Sequence, residues 1–146
     1  MKIFIETHVK ASYLEVAKGF DLALFEALAP SFPKVQVLRF DGCEKGNQVW
    51  IAMNLIFFKQ QWNAIIIDNQ QSESEWSFMD EGIVLPFPLK SWKHHHRVLK
   101  KEDGGSIVID SIEYRTFSKI VDYLCYPLFY LQFSARSPIY KKIFSK

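Results

Sequence analysis

The sequence predicts an α+β fold: a strongly curved antiparallel sheet of about seven strands, two short helices, and a long C-terminal helix closing the apolar side. Three observations predict it. Apolar and polar residues alternate through Lys2–Val9 and again through most of Lys34–Thr116. The breaks between alternating runs are short and rich in Gly, Asp, Asn and Ser, which favours antiparallel neighbours. Ser118–Lys146 then changes to helical spacing, carried by Ile120, Leu124, Leu128, Leu131 and Ala135. A sheet curved around one helix leaves a cavity between them unless large side chains fill it.

In the first strand, Ile3, Ile5, Thr7 and Val9 take the inward side against Phe4, Glu6 and His8. Ser12-Tyr-Leu-Glu15 has the capping-box form, so a short helix starts there and ends near Gly19. Asp21 is a second N-cap, and Leu22–Ala29 a second short helix, stopped by Pro30 and Pro33. That helix is apolar nearly all round and is expected to be well covered. Lys34–Asp41 reads as a strand. Asp41–Gly46 reads as a plain turn, since it lacks the GxxxxGK[ST] pattern of a phosphate loop. Gln48–Phe58 puts Val49, Ile51, Met53 and Leu55 on one face, and Gln60–Asp68 does the same with Trp62, Ala64 and Ile66. Glu73–Asp80 follows, closed by a turn at Asp80-Glu-Gly82. In the last segment Pro127 starts or kinks a helix, and Pro138 adds a second irregularity.

A hairpin turning at Asp103-Gly104-Gly105 organises the chemistry. Before it, Trp92, His94, His96 and Val98 share a face. After it, Val108, Asp110, Ile112 and Tyr114 do. Two registers keep these faces matched. One pairs Trp92 with Tyr114 and His96 with Asp110; the other pairs His94 with Tyr114 and Val98 with Asp110. Either way a carboxylate lies within about one pairing step of a histidine. Trp76, Phe78 and Asp80 join that face from the preceding strand.

The chain has 146 residues, which suits one domain over 1–146. Such a length buries roughly 70% of the extended-chain surface and needs neither metal nor disulfide to fold. A net charge of +2 with interspersed signs does not suggest a nucleic-acid partner. Cys43 and Cys125 form no CxxC and show no pairing pattern, which reads as reduced thiols of a cytoplasmic protein. Glu6 and Lys10 interrupt the apolar run that a secretion signal needs. Ile120–Phe133 is too short to span a bilayer, so no stable membrane insertion is expected. The basic end at Lys141, Lys142 and Lys146 reads as a solvated helix terminus. An open sheet edge admits pairing with a second copy, and Glu6 and Lys10 work against it; the sequence leaves the oligomeric state open.

The element order and a set of residues resemble the SRPBCC or START-like superfamily, with its birch-pollen-allergen-type helix-grip fold. They resemble above all its small bacterial ligand-binding branch, which includes proteins described as polyketide cyclase/dehydrase. The matching residues are Pro30, Gly46, Trp62, Phe78 with Asp80, and Pro86 with Phe87. Trp92 with His94 and His96, Asp110 with Ile112 and Tyr114, and Arg136 complete the set. The resemblance implies a helix-grip domain binding a hydrophobic or amphipathic molecule, lipid-like, polyketide-like or aromatic. It names no cofactor. Fold alone does not fix function, because this architecture hosts binding, transport and catalysis.

By themselves, the large aromatics read as filled core; the resemblance makes Trp62, Trp76, Phe78, Phe87, Trp92, Phe129 and Phe133 cavity walls. His94, His96, Asp110, Tyr114 and Arg136 then orient a polar end of the ligand. His94 and His96 have the spacing of two metal ligands, and Asp110 could serve as a third, but no cysteine or convincing third histidine accompanies them, and a structural role is expected instead. His96 with Asp110 is the candidate acid–base pair of a cyclase/dehydrase-like enzyme. No GxSxG is present, which argues against a hydrolase. A protein-interaction module with a filled core is the remaining alternative.

Overall fold

The computed structural model describes residues 1–146. The strands are β1 (Lys2–Val9), β2 (Lys34–Phe40), β3 (Gln48–Leu55), β4 (Phe58–Gln71), β5 (Glu75–Val84), β6 (Leu89–Lys100) and β7 (Ser106–Thr116). The helices are α1 (Tyr13–Lys18), α2 (Leu22–Ala27), α3 (Lys119–Ser134) and α4 (Arg136–Ile143). All seven strands form one antiparallel sheet in the order β1-β7-β6-β5-β4-β3-β2. This is the helix-grip architecture: the last helices lie in the concave side of the sheet, against β7 and β1.

Local chemistry explains most elements. β1 alternates exposed and buried residues along its whole length, with Ile3, Ile5, Thr7 and Val9 inward. The Ser12 side chain accepts from Glu15 N, and the Glu15 carboxylate accepts from Ser12 N, closing the capping box on α1. Asp21 Oδ1 accepts from Leu24 N and caps α2. Gly105 sits where a Cβ would lie 2.7 Å from Val9 O, a backbone atom held by the sheet. Gly105→Ala is therefore expected to cost about 1–3 kcal/mol in a denaturant titration, with an unchanged m-value.

Curvature comes from interruptions in the ladders. Register shifts occur in β2/β3 at Val37/Arg39, in β6/β7 at Leu89/Ser91, and twice in β4/β5. Each such shift bends its strand and increases the local twist. The inner face carries two apolar clusters. One gathers Val16, Trp76, Phe78, Val98, Tyr140 and Phe144; the other gathers Ile3, Trp92, Ile112, Tyr114 and Phe133. On β6 the two histidines lie between Trp92 of one cluster and Val98 of the other.

Two expectations are corrected. α2 is largely exposed: only Leu24 and the following Leu28 are buried, because six residues at the cavity rim have just one side against the sheet. Asp80-Glu-Gly82 is not a turn. β5 continues to Val84, with Asp80 opposite His94 and Glu81 opposite Lys93. Gly82 makes room for Leu85, whose side chain fills the space a Cβ would need. The reversal falls instead between Val84 and Leu89, where Pro86 and Pro88 interrupt the ladder. The last segment is a bent helix, α3 running into α4 at Ala135, with Pro127 inside α3.

Candidate functional site

Between the inner face of β2–β6, α2 and α3 lies a cavity of about 150 Å³, lined mostly by apolar side chains. Trp62, Phe78, Trp92, Phe129 and Phe133 form its aromatic wall; Val49, Ile51, Met53 and Ala64 form its floor on β3 and β4. Trp62 meets Trp92 edge to face, with ring centroids 4.7 Å apart, and Phe129 packs edge-on to Trp92 at 5.5 Å. Four polar groups of the lining belong to one cluster: Asp80, His94 and His96 lie together, and Arg136 shares Asp110 as a neighbour with both histidines.

The hairpin adopts the first of the two registers, with Trp92 opposite Tyr114 and His96 opposite Asp110. Yet the hydrogen bonds run crosswise. His94 Nε2 lies 2.8 Å from Asp110 Oδ1, and His96 Nε2 lies 2.9 Å from Asp80 Oδ2. The directly opposed couples are looser: His96 Nδ1 is 3.6 Å from Asp110 Oδ1, and His94 Nδ1 is 4.0 Å from Asp80 Oδ2. The reason is reach. Directly opposed Cβ atoms stand about 4.5–5.5 Å apart, too close for the far nitrogen of an imidazole to meet a short carboxylate; the diagonal, about 7–8 Å, suits it. The carboxylate hydrogen-bonded to His96 is thus Asp80, while Asp110, its expected partner, stands 3.6 Å from the other ring nitrogen.

The two imidazole centroids lie 3.5 Å apart with their planes tilted by 33°, and Phe78 stacks on His96 at 4.2 Å. Asp80, His94 and His96 are the side chains here close enough together to share a metal ion. In the structure His94 Nε2 is bonded to Asp110 and His96 Nε2 to Asp80. As folded, the cluster is a hydrogen-bond network.

Its charges follow from burial and pairing. Burial pushes His94 down to about 4, reinforced by the neighbouring His96 and opposed by Asp110, so its imidazole is neutral and donates Nε2–H to Asp110. Burial pushes Asp110 up, but the His94 hydrogen bond and the charges around it, including Arg136, outweigh this and hold it down at about 2. Arg136 Nη1 stands 3.9 Å from Asp110 Oδ1, and its guanidinium lies 4.3 Å over the Phe133 ring. Arg136 thus faces the carboxylate rather than bulk water. Two buried polar atoms have no partner, His96 Nδ1 and the Tyr140 hydroxyl.

Of the residues the sequence singled out, Trp62, Phe78, Trp92, His94, His96, Phe129, Phe133 and Arg136 line the cavity. Four do not. Phe87 is exposed and stacks on Phe117 at 5.5 Å, because its loop lies beyond the sheet end. Trp76 is buried in the cluster around α1 and Tyr140, past the cavity end. Tyr114 is turned beneath α3, where its hydroxyl donates to Asp122 O at 2.6 Å. Asp110 sits behind the histidines and reaches the cavity through them. Sequence reasoning missed Cys43, Phe20 and Gln132 on the lining. Alternation from Trp76 through Phe78 already pointed to Asp80. Nothing in the sequence marked Cys43, whose thiol burial and the Asp80 charge push up to about 12.

No protein-family model and no curated protein matches the sequence. Solved structures do resemble the fold. Norcoclaurine synthase from Thalictrum flavum, a point mutant in complex with a transition-state analogue, superposes with a TM-score of 0.64 at 17% identity, covering 95% of this chain and 92% of that one. The same enzyme has been seen with dopamine and hydroxybenzaldehyde, at a TM-score of 0.60 and 18% identity over 92% of this chain and 83% of that one. Ginseng major latex-like protein 151 from Panax ginseng aligns at 0.57 and 14% identity over 94% and 97%. At these identities the likeness is one of fold.

Proposed function

We propose that this chain is a cytoplasmic binding protein for a small hydrophobic or amphipathic molecule, held in the cavity between the sheet and α3. The observation that carries the reading is the cavity itself: a mostly apolar space of about 150 Å³ with Asp80, His94, His96 and Arg136 in its lining. A dry cavity of about this size accepts a benzene-sized molecule. One aromatic ring or a short chain therefore fits without rearrangement, set against Trp62 and Phe129, with a polar end toward Asp80, His96 and Arg136. The fold's use by proteins that hold aromatic molecules supports a ligand of this kind, as does the residue pattern of the bacterial ligand-binding branch.

Native mass spectrometry of the purified protein, with solvent extraction of anything released, tests this directly. A stoichiometric aromatic or lipid-like adduct is expected. Ala64→Phe places a ring inside the cavity and is expected to weaken binding of a hydrophobic probe at least roughly tenfold. Unchanged probe binding in that variant, with the fold intact, would end the cavity assignment.

One observation favours a second reading, a cyclase/dehydrase-like enzyme. His96 lies on the cavity wall between two carboxylates: its Nε2 is bonded to Asp80, and its buried Nδ1 has no hydrogen-bond partner. A positive charge on this imidazole, as arises when it takes up a proton, would be stabilised by both carboxylates, Asp80 at 2.9 Å and Asp110 at 3.6 Å. His96→Gln separates the readings: it abolishes turnover in an enzyme and merely shifts affinity in a carrier.

A further inference from the structure

The outer face of α3 is the least expected surface of the molecule. A helix that covers a core from outside normally turns polar residues to water. Here Ile120, Tyr123, Leu124, Leu128 and Leu131 recur at helical spacing on the solvent side, and Leu124 is 70% exposed. The stripe continues at the start of α3 into the exposed Phe117–Phe87 stack. An apolar surface of this extent marks an interaction site.

Charge says what it meets. From Arg115 to Lys146 the sequence holds one acid, Asp122, and it is buried, its Oδ1 accepting from Thr116 N and Oγ1. The exposed charges along this segment are therefore all positive: Arg115, Lys119, Lys141, Lys142 and Lys146. Of the exposed acids, Glu44, Glu73, Glu102 and Asp103 lie on turns at the opposite end of the sheet from Phe87 and Phe117, while Glu6, Glu15, Asp21, Glu26 and Glu113 belong to β1, α1, the α2 cap, α2 and β7. Two such faces from two copies would bring like charges together, which disfavours self-pairing. An apolar stripe whose own segment exposes only cations fits the interface of an anionic bilayer. α3 has 16 residues, and so is about 24 Å long; no helix of the protein is long and apolar enough to cross a membrane.

We propose that the outer face of α3 docks on anionic lipid, with Leu124 and Leu128 in the acyl boundary and Lys141 and Lys142 against the headgroups. The docking does not depend on what the cavity holds.

Co-sedimentation with vesicles tests it, comparing phosphatidylcholine and phosphatidylserine in equal parts with phosphatidylcholine alone. The expected result is binding to the anionic vesicles, much weaker binding to the neutral ones, and loss on raising salt. The double substitution Leu124→Glu, Leu128→Glu should lower the partition coefficient roughly tenfold or more. Both residues are exposed, so the fold should survive, which thermal melting by circular dichroism checks. Lys141→Gln with Lys142→Gln should lower anionic binding roughly fivefold per lysine and leave neutral binding unchanged. As a control at the far end, Lys101→Gln should change nothing. Absence of binding to anionic vesicles overturns the proposal, and so does undiminished binding by the folded double glutamate variant. It is also overturned if light scattering shows a dimer that Leu124→Glu splits while vesicles bind neither form: the face is then a contact between copies.

Discussion

Asp110→Ala is expected to destabilise the protein by about 3–5 kcal/mol, the largest loss of any single truncation proposed for this chain. The carboxylate is 1% exposed and accepts the His94 hydrogen bond at 2.8 Å. It is also the anion that Arg136 faces from α4, at 3.9 Å. Removing it leaves a buried N–H without an acceptor and a largely buried guanidinium without its counter-ion. Asp110→Asn keeps one oxygen for His94 and loses the charge, so its cost should be smaller, nearer 1–3 kcal/mol in order-of-magnitude terms. Denaturant midpoints of the two variants check both values. Equal, small losses would mean that the network contributes little and that the apolar clusters on either side carry the strand pairing alone.

A second large effect is expected with pH. His94 has a folded-state value near 4 against an ordinary 6.5. Between those values the unfolded chain binds a proton at this position and the folded chain does not. Stability therefore rises with pH across that window and is lost as pH falls from about 6.5 to about 4, on the order of 3 kcal/mol in total. Asp110 acts below it: its folded value near 2 lies under the ordinary 3.8, so its contribution is present above 3.8 and is lost as pH falls through about 2. Acid unfolding should thus proceed in two stretches with different owners. His94→Gln retains an N–H for Asp110 and removes the titration, so it should flatten the upper stretch and leave the lower one. Thermal melts across that pH range decide it; an unchanged slope in His94→Gln would assign the upper stretch elsewhere.

The fold was largely legible because the strands obey a period of two and the caps are made of the right side chains. Val9, Val98 and Val108 could be placed inward from alternation alone, and Ser12 with Glu15 announced a helix start. The site was legible down to its faces but not its bonds. Periodicity puts His94, His96, Asp80 and Asp110 on one side of the sheet; it does not say that an imidazole bonds past its opposite neighbour to the diagonal one. Bulges were invisible for a similar reason: the shifts at Val37/Arg39 and Leu89/Ser91 are set by what the sheet wraps around, not by local sequence. Gly82 misled because a glycine after two acids suits a turn, while here it serves a packing need that only Leu85 reveals. α2 misled because apolar composition gives no account of how much neighbouring surface exists to cover six residues.

The crosswise bonds also have a bearing on how the sheet finds its alignment. The four polar residues come from three strands, β5, β6 and β7, and each satisfies a partner on another. Sliding β6 by one residue would send both histidines to the outer surface and bring Lys93, His95 and Arg97 inside. Asp80 and Asp110 would then stay buried without their imidazoles, and long cations would have to fit among Trp92's former neighbours. Greasy strands alone tolerate such slips, since one branched side chain replaces another. A polar quartet does not, and it makes misaligned sheets costly in proportion to how deeply it is buried. The same four side chains thereby act as a checksum on strand alignment, whatever else the cavity beside them has been shaped to hold.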